Sequence, residues 1–443
     1  MRPYKNRRDA LIAQMHAKGG GIAIIPTAPE VLRNNDADYP YRHDSYFYYL
    51  SGFTEPQAVI VLIAGKTDQS ILFCRDKNLE REIWDGYRYG PEAAREAFGF
   101  DAAFSIDAID TEMSKLMANQ PAIFYALGRD AKFDTQVQGW LNAVRAQVRA
   151  GATAPAAAYD VHLLLNEMRL IKDATEADIM RRAAQISADA HIRAMRMSQP
   201  GLHEYQIEAE LLHEFRRKGS QFPAYTSIVA TGANACVLHY RAGESVLKDG
   251  DLVLIDAGCE LDGYASDITR TYPANGRFSG PQKALYEIVL AAQHAAIAEI
   301  KPGKRFTDGH DAAVRILAQG MLETGLLDKN KVGTLDDVIE KGAYRQFYMH
   351  RTGHWLGMDV HDVGEYRDPA PAGEEKPWRT LQPGMALTVE PGIYVRPADG
   401  VPEQFWHIGI RIEDDALVTA SGCEILSHAA PKSVADIEAL MRQ

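Results

Sequence analysis

Short apolar runs separated by turn-forming residues mark the first 150 positions and predict a mixed α/β region. The runs GIAIIPTA (21–28), AVIVLIAG (58–65) and SILFCRD (70–76) are typical of buried strands, and TEMSKLMANQ (111–120) is typical of a helix. Small, flexible residues follow at 150–160. From Ala174 onward, apolar residues recur at helical spacing. We therefore expect a domain boundary near Lys172.

Beyond this boundary, the segment GDLVLIDAGCELDGYASDITRTY (250–272) has the pattern of two strands joined by a tight turn. A turn at Leu261 and Asp262 places Asp256 opposite Asp267. A turn one residue later makes the two aspartates diagonal neighbours on the same face. Two carboxylates that close on an otherwise apolar strand need a shared proton or a cation, unless a bulge separates them.

A second pair of strands is predicted at MALTVEPGIYV (385–395) and IGIRIEDDALV (408–418). Glu390 and Glu413 each alternate with apolar neighbours, so each is expected on the polar face of a strand. Sheets with one face in water are common, and either glutamate alone is more often solvent-facing than a metal ligand. The two segments together with the α-helical pattern predict an α+β domain.

Composition narrows the class of protein without identifying it. The chain has 443 residues, 46% of them apolar and 24% charged, as in ordinary soluble globular proteins. No apolar run approaches the roughly 18 residues of a membrane helix, so no membrane partner is expected. The net charge of −12 disfavours nucleic acid as a partner. Four scattered cysteines fit a reducing compartment, which predicts a cytoplasmic protein.

The segment HRTGHWLGMDVHD (350–362) places three histidines within thirteen residues. On a helix, the H-x-x-x-H spacing of the first two would put both on one face, as in zinc proteases. Gly353 weakens a helix here, and no H-E-x-x-H occurs in the chain. The sequence also has no G-x-S-x-G motif, no Walker loop and no dinucleotide-binding glycine motif. These absences exclude several common types of active site.

Four carboxylates and an imidazole form a donor set that suits Mn²⁺ better than a structural zinc ion. The carboxylates are Asp256, Asp267, Glu390 and Glu413. They carry more negative charge than one divalent ion balances, so we infer two divalent metal ions. Paired ions about 3.5 to 4 Å apart can share a water molecule and make it a nucleophile near neutral pH.

Five motifs in this order resemble the signatures of the pita-bread metallopeptidases. They are DAG (256–258), SDITRT (266–271), HRTGHWLGMDVHD (350–362), TVEPG (388–392) and GIRIEDD (409–415). The segment 34–63 resembles the N-terminal domain of the aminopeptidases P. The resemblance runs nearly from end to end. It implies an N-terminal α/β domain of the creatinase and aminopeptidase P type (1–172), followed by a pita-bread α+β catalytic domain (173–443).

The resemblance also implies a role for each metal ligand. Asp256 would bind one ion, and His354 and Glu390 would bind the other. Asp267 and Glu413 would bridge both ions. His354 is then the only one of the three clustered histidines that binds metal.

The remaining site residues would act on the substrate. His361 and His239 would steady the substrate carbonyl and the tetrahedral intermediate. His350 would line a pocket for proline with Arg411 and Tyr394. As an isolated residue, His239 could equally be a buried histidine of the core, and the resemblance of its motif favours the functional role.

The implied activity is the release of the first residue from peptides whose second residue is proline, by a hydroxide that bridges two metal ions. Glu390 would return a proton to the departing proline nitrogen. The resemblance further implies a homotetramer or a homodimer in which the N-terminal domain of a neighbour closes the site. Trp84, in EIWDGYRYG (82–90), is a candidate for that contact, although a tryptophan packed within its own subunit is as plausible.

Three alternatives remain open from the sequence. A prolidase, which cuts Xaa-Pro dipeptides, shares the same metal ligands. A non-catalytic relative that only binds peptides would typically lack ligands that this chain retains. A methionine aminopeptidase would not need the large N-terminal domain.

The proline-rich segment YRDPAPAGEEKPWRTL (366–381) is longer than the family resemblance leads us to expect. It follows His361 closely and could border a substrate groove. The general tolerance of loops to insertion favours a surface insertion instead.

Overall fold

A computed structural model describes residues 3–442 of the chain. The chain forms two compact units, of which the first ends at Met168 and the second begins at Arg169. Among the described residues, none of the helices combines the length and the apolar character needed to cross a membrane.

The first unit contains seven α-helices and eight strands among its described residues. The helices are α1 (Tyr4–Ala17), α2 (Ser45–Ser51), α3 (Leu79–Asp85), α4 (Gly90–Phe98), α5 (Ile109–Met117), α6 (Ala131–Arg145) and α7 (Val161–Leu170), whose last two residues belong to the second unit. The strands are β1 (Gly21–Pro26), β2 (Leu32–Asn34), β3 (Ala37–Asp38), β4 (Val59–Ala64), β5 (Gln69–Cys74), β6 (Ala102–Ser105), β7 (Ala122–Phe124) and β8 (Ala157–Tyr159).

Six of these strands form one mixed sheet in the order β6-β5-β4-β1-β7-β8. Strand β1 pairs antiparallel with β4 and parallel with β7. Every residue of β4 is buried, because α5 and α6 pack on one face of the sheet while α1 and α2 contact the same central strands. The predicted strands at 21–28, 58–65 and 70–76 and the predicted helix at 111–120 are confirmed.

The second unit combines long helices with several small sheets. Its helices are α8 (Ala174–Met197), α9 (Glu204–Arg217), α10 (Gly280–Glu299), α11 (Asp308–Glu323), α12 (Lys329–Val332), α13 (Leu335–Glu340) and α14 (Val434–Met441). Its strands are β9 (Phe222–Pro223), β10 (Ile228–Thr231), β11 (Leu252–Asp256), β12 (Cys259–Leu261), β13 (Tyr264–Ala265), β14 (Thr269–Pro273), β15 (Ala386–Val389), β16 (Gly392–Val395), β17 (Ile408–Arg411), β18 (Asp414–Val418) and β19 (Cys423–Ile425).

The strands of the second unit form three-stranded sheets in the orders β10-β11-β14, β13-β12-β9 and β15-β18-β19, and a two-stranded sheet β16-β17. One apolar core joins them to the helices, including α8, α9, α10 and α11. Helix α8 begins at an Asp173 capping box, in which Asp173 accepts from the Glu176 N–H and Glu176 accepts from the Asp173 N–H. This explains why the predicted helix starts at Ala174.

The hairpin that carries Asp256 and Asp267 turns at Asp262 and Gly263. Both turn residues have positive φ, 49° and 78°, as a two-residue turn of this kind requires. Strands β11 and β14 are antiparallel, and Asp256 pairs with Thr269. Asp267 is therefore the diagonal neighbour of Asp256, which is the second of the two registers that the sequence allowed.

The prediction that Glu390 and Glu413 lie within continuous strands is wrong. Glu390 lies in the break between β15 and β16, and Pro391, which has no backbone N–H, follows it. Glu413 lies between β17 and β18, where the chain changes partner from β16 to β15 and bridges to Thr269. Glu413 is only 2% exposed. The interpretation that a lone strand glutamate usually faces solvent is therefore wrong for Glu413.

The two halves of this hairpin approach each other closely at Gly258. A Cβ atom at Gly258 would lie 1.7 Å from the carbonyl oxygen of Ser266. We expect Gly258→Ala to reduce the free energy of unfolding by about 1–3 kcal/mol or more, as overpacking does, and thermal unfolding measures the loss. The matched control is Gly280→Ala, at the first turn of α10, where nothing lies within 4 Å. Equal melting temperatures for the two variants would contradict this account.

Candidate active site

A pocket of about 570 Å³ in the second unit brings together most of the residues that the sequence singled out. Nine of the ten predicted site residues line it, namely His239, Asp256, Asp267, His350, His354, His361, Glu390, Arg411 and Glu413. The tenth, Tyr394, is buried and contacts the pocket through hydrogen bonds to His350 and Arg411. Segments separated by more than 150 residues in sequence thus converge on one cavity.

The carboxylates of the pocket lie close enough to repel one another strongly. The Tyr225 hydroxyl oxygen is 2.5 Å from Oδ1 of both Asp256 and Asp267. Burial, reinforced by the neighbouring Asp256, raises the pKa of Asp267. Burial, reinforced by Asp267, raises the pKa of Glu413 well above its usual range. Acids in this arrangement are stable either with added protons or with a cation among them.

The geometry of His354 fits a metal ligand. Its Nδ1 donates to the Trp355 carbonyl at 2.9 Å, which leaves Nε2 directed toward the carboxylates of the pocket. Nε2 lies 3.4 Å from Oδ2 of Asp267 and 3.8 Å from Oε1 of Glu390. Asp267, His354 and Glu413 each offer a ligand atom within 4.8 Å of the others. An imidazole nitrogen with carboxylate oxygens is a donor set that divalent transition metals accept.

Backbone hydrogen bonds hold His354 beside Glu390. The Thr388 N–H donates to the His354 carbonyl at 3.0 Å, and the Glu390 N–H donates to the Thr352 carbonyl at 2.8 Å. Gly353 permits this approach, because a Cβ there would lie 2.1 Å from the Thr388 carbonyl oxygen. Residues 350–354 are not helical, so the helical H-x-x-x-H arrangement of zinc proteases does not apply.

A chain of hydrogen bonds connects Arg411, Tyr394 and His350. Arg411 donates from Nη2 to Oδ2 of Asp256 at 2.5 Å and from Nη1 to the Tyr394 hydroxyl at 3.0 Å. His350 Nδ1 donates to the Arg351 carbonyl at 2.7 Å, so its Nε2 accepts from the Tyr394 hydroxyl at 2.8 Å. Burial, and then the Arg411 charge, lower the pKa of His350 to about 4. His350 is therefore neutral at pH 7 and presents an uncharged surface to the pocket.

His361 and His239 occupy exposed positions on the pocket lining. The His361 ring stacks on the His354 ring, with centroids 3.8 Å apart and planes 13° apart. The alternative that His239 is a buried core histidine is wrong, because its side chain reaches solvent at the pocket. The catalytic roles of both histidines stay predictions.

Two site residues escaped the sequence analysis. Tyr225 contacts both Asp256 and Asp267, but it belongs to none of the five motifs. Thr269 donates to Oε2 of Glu413 at 2.6 Å and accepts from Nε of Arg411 at 3.1 Å. The two-residue period of strands could have indicated Thr269, because it follows Asp267 by two residues, and it pairs with Asp256 across the hairpin.

A fully buried glutamate, also missed, organises the loop that carries His239. Oε1 of Glu204 accepts from the Thr231 N–H at 2.8 Å and the Asn234 side-chain amide at 2.9 Å. Oε2 accepts from the Tyr240 hydroxyl at 2.8 Å and the Gly243 N–H at 3.1 Å. One carboxylate thus fixes both ends of the loop around His239.

A buried ion cluster fixes the residue that follows His361. Asp362 accepts from Nη2 of Arg169 at 2.6 Å and from Nζ of Lys172 at 2.9 Å. The three side chains are each 1% exposed. Breaking such a buried pair typically costs several kcal/mol, so the backbone beside His361 is firmly held.

The favoured interpretation of the proline-rich segment 366–381, a surface insertion away from the site, is wrong. Tyr366 and Trp378, at the two ends of the segment, both line the pocket. Tyr366 also stacks on Trp355, with ring centroids 5.5 Å apart. The segment therefore forms part of the pocket wall.

Comparisons with known proteins agree with this geometry. Residues 178–420 match the family model described as metallopeptidase family M24, and residues 4–125 match the aminopeptidase P N-terminal domain. The Xaa-Pro aminopeptidase of Escherichia coli is 44% identical over 99% of this chain and 97% of its own length.

Two solved structures are similar over nearly the whole chain. The aminopeptidase PepP of Pseudomonas aeruginosa has a TM-score of 0.95 and 51% identity, covering 99% of this chain and 97% of its own. The zinc-substituted Escherichia coli aminopeptidase P in complex with product has a TM-score of 0.94 and 43% identity, covering 100% and 98%.

The chain therefore belongs to metallopeptidase family M24, among the members that carry an aminopeptidase P N-terminal domain. The predicted fold class, an aminopeptidase P-type α/β domain followed by a pita-bread α+β domain, is confirmed.

The substitution Glu413→Ala tests the metal-binding function of the acidic pocket. Removing a buried carboxylate that faces both Asp267 and His354 should lower the content of bound divalent metal by at least one ion per chain. Metal analysis after dialysis against Mn²⁺ measures this. The matched control is Glu424→Ala, which removes a surface carboxylate paired with Arg181. A folded Glu413→Ala protein with full metal content would contradict the assignment.

Proposed function

We propose that the chain is a metal-dependent Xaa-Pro aminopeptidase, which releases the first residue from peptides whose second residue is proline. The observation that carries this proposal is the convergence of five potential metal ligands and three further histidines on one pocket. The names of the relatives, including the Xaa-Pro aminopeptidase of Escherichia coli, support the same activity.

The donor set supports binding of two divalent ions, for which we propose Mn²⁺. Asp256 would hold one ion, His354 and Glu390 the other, and Asp267 and Glu413 would bridge them. Bound ions of this kind polarise the peptide carbonyl and make a water molecule acidic enough to attack near neutral pH. Oxygen-rich sites with one imidazole favour Mn²⁺ over a structural zinc ion.

The two exposed histidines are well placed to contact the substrate. His361 stacks on His354, with ring centroids 3.8 Å apart, so it lies beside a proposed metal ligand. His239 lies on the same pocket wall, on the loop that Glu204 fixes. We propose that both hydrogen-bond the oxygen on which negative charge develops, a role for which fixed donors are effective.

The proline ring would lie against His350, Tyr394 and Arg411. The neutral His350 ring offers apolar surface at the pocket, and it is held by the buried Tyr394 hydroxyl, which in turn accepts from Arg411. The bond before proline is a tertiary amide without an N–H. A site that recognises the ring, instead of a backbone N–H, suits this bond.

Glu390 is our candidate for the residue that transfers a proton to the departing proline nitrogen. Its carboxylate lies between the metal cluster and the proposed proline pocket, with Oε1 3.8 Å from Nε2 of His354 and Oε2 3.7 Å from Nδ1 of His350. A carboxylate at this position is within reach of both the attacking water and the leaving nitrogen.

Assembly and location are also proposals. We propose a cytoplasmic homotetramer or homodimer, in which the domain 1–172 serves oligomerisation and substrate access. Three apolar side chains of helix α3 are exposed, namely Trp84 at 82%, Ile83 at 80% and Leu79 at 71%. Exposed apolar side chains clustered on one short helix favour a contact with another subunit.

The alternatives have less support. A prolidase would share the metal ligands, but the relatives at 44% identity are named Xaa-Pro aminopeptidases. A non-catalytic peptide-binding relative would not need the complete donor set that lines the pocket.

Peptide hydrolysis after metal restoration tests the proposed function. The chain is stripped with chelator, Mn²⁺ is restored, and release of the first residue is followed from an Xaa-Pro-Yaa tripeptide. We expect Mn²⁺-dependent cleavage of the tripeptide but not of an Xaa-Ala-Yaa control. Preferential cleavage of an Xaa-Pro dipeptide would instead indicate a prolidase, and bound metal without cleavage of any peptide would indicate a binding protein.

The variant His361→Ala tests the proposed role of the exposed histidines. We expect it to retain the metal but to lower kcat by about 10² or more, which is the scale of losing one donor to a developing oxyanion. The matched control is His213→Ala on the exposed face of α9, which should leave kcat unchanged. Near wild-type kcat in His361→Ala would remove this residue from the mechanism.

A further inference from the structure

The proline-rich segment brings a tryptophan to the pocket in a fixed position. The two ends of the segment are joined by hydrogen bonds from the Asp368 N–H to the Pro377 carbonyl at 2.9 Å and from the Arg379 N–H to the Tyr366 carbonyl at 3.0 Å. Oδ2 of Asp368 also accepts from the N–H and the hydroxyl of Thr380, at 2.9 and 2.8 Å. These contacts involve residues on either side of Trp378 in the sequence. They hold the Trp378 ring in a fixed position in the pocket wall.

Two arginines approach the ring of Trp378. The guanidinium carbon of Arg367 lies 3.6 Å from the ring centroid, and that of Arg351 lies 4.9 Å from it. Both distances are within the range of a cation–π interaction. We call Arg351, Trp378 and Arg367 the arginine–tryptophan stack.

The two arginines of the stack differ in their other partners. Arg367 donates to the Lys376 carbonyl at 2.8 Å and lies 3.6 Å from Glu375. The guanidinium of Arg351 is exposed, and within residues 3–442 it forms no hydrogen bond or ion pair. It thus presents a positive charge and a planar set of donors at the pocket, which match a carboxylate.

Arg351 also stands where two cavities meet. It lines the active-site pocket, and with His350 it lines a neighbouring cavity of about 870 Å³. Arg315 and Arg345 lie on that second cavity, together with Asp311. Because His350 belongs to the proposed proline pocket and Arg351 lines both of the same cavities, Arg351 is in a suitable position to contact the residue after the proline.

We propose that Arg351, held against Trp378, binds a peptide carboxylate immediately downstream of the proline, which in a tripeptide is the C-terminal carboxylate. This assignment rests on the proposed aminopeptidase function. It makes the arginine–tryptophan stack a specificity site that favours short peptides with a free C-terminus.

The test compares cleavage of Ala-Pro-Ala with cleavage of Ala-Pro-Ala-amide by the Mn²⁺-loaded protein. We expect wild-type kcat/KM to favour the free acid by about three- to tenfold, the range of a partly exposed charge-assisted contact. In Arg351→Gln the ratio should fall to near one, and in Trp378→Ala it should fall part of the way. The matched control is Arg305→Gln, an exposed arginine next to Phe306 that does not line the pocket, and it should keep the wild-type ratio.

A second peptide pair identifies the source of the carboxylate. Glu-Pro-Ala-amide and Gln-Pro-Ala-amide differ only in the charge of the first residue. If Arg351→Gln changed this ratio and left the acid-to-amide ratio intact, the downstream assignment would be overturned in favour of the first residue.

Other outcomes separate the two proposals. Equal wild-type cleavage of the acid and the amide, or an equal loss of the ratio in Arg305→Gln and Arg351→Gln, would overturn the carboxylate site alone. Failure of the Mn²⁺-loaded protein to cleave either peptide would overturn the proposed function on which the site rests.

Discussion

Repulsion among buried carboxylates is the constraint on which the second unit depends. Asp414, which is buried but does not line the pocket, has two cations of its own, Arg270 at 2.7 Å and Lys432 at 2.6 Å. Within residues 3–442, the acids that face the pocket form one ion pair with an arginine, between Asp256 and Arg411. Burying that much unbalanced charge is unfavourable without a compensating ion. This is the arrangement expected of a metal-binding pocket in metallopeptidase family M24.

The rest of the fold keeps these groups in place. Asp414 holds β18 to the chain around Arg270, Glu204 holds the loop of His239, and Asp362 holds the backbone beside His361. Each anchor is a buried carboxylate with several donors, which are costly to leave unpaired. Each anchor fixes the backbone next to a residue that lines the pocket, so the anchors pre-organise the site.

Much of this arrangement was predictable from the sequence. The five motifs indicated the four carboxylates and every site histidine except His239, and the turn signal before Gly263 limited the hairpin to two registers. Hydrophobic alternation did not reveal that Glu390 and Glu413 lie at strand breaks, because a break that follows from a change of sheet partner leaves the local pattern intact. Tyr225 was missed since a lone tyrosine carries no periodic or motif signal.

The proline-rich segment shows a different limit of sequence analysis. Its composition predicted a loop, and the general tolerance of loops to insertion favoured a passive one. What gives Trp378 its place at the pocket is a set of hydrogen bonds between residues nine to thirteen positions apart, around Asp368. Such pairings depend on the closed loop and on its packing, which local patterns do not encode.

The central claim is that the acidic pocket is a two-metal centre, and an anomalous difference map from Mn²⁺-soaked crystals tests it most directly. The account predicts two peaks per chain, both among the side chains of Asp256, Asp267, His354, Glu390 and Glu413. A single peak would contradict the two-metal arrangement. Peaks elsewhere, or no peak in this pocket, would contradict the metal centre itself.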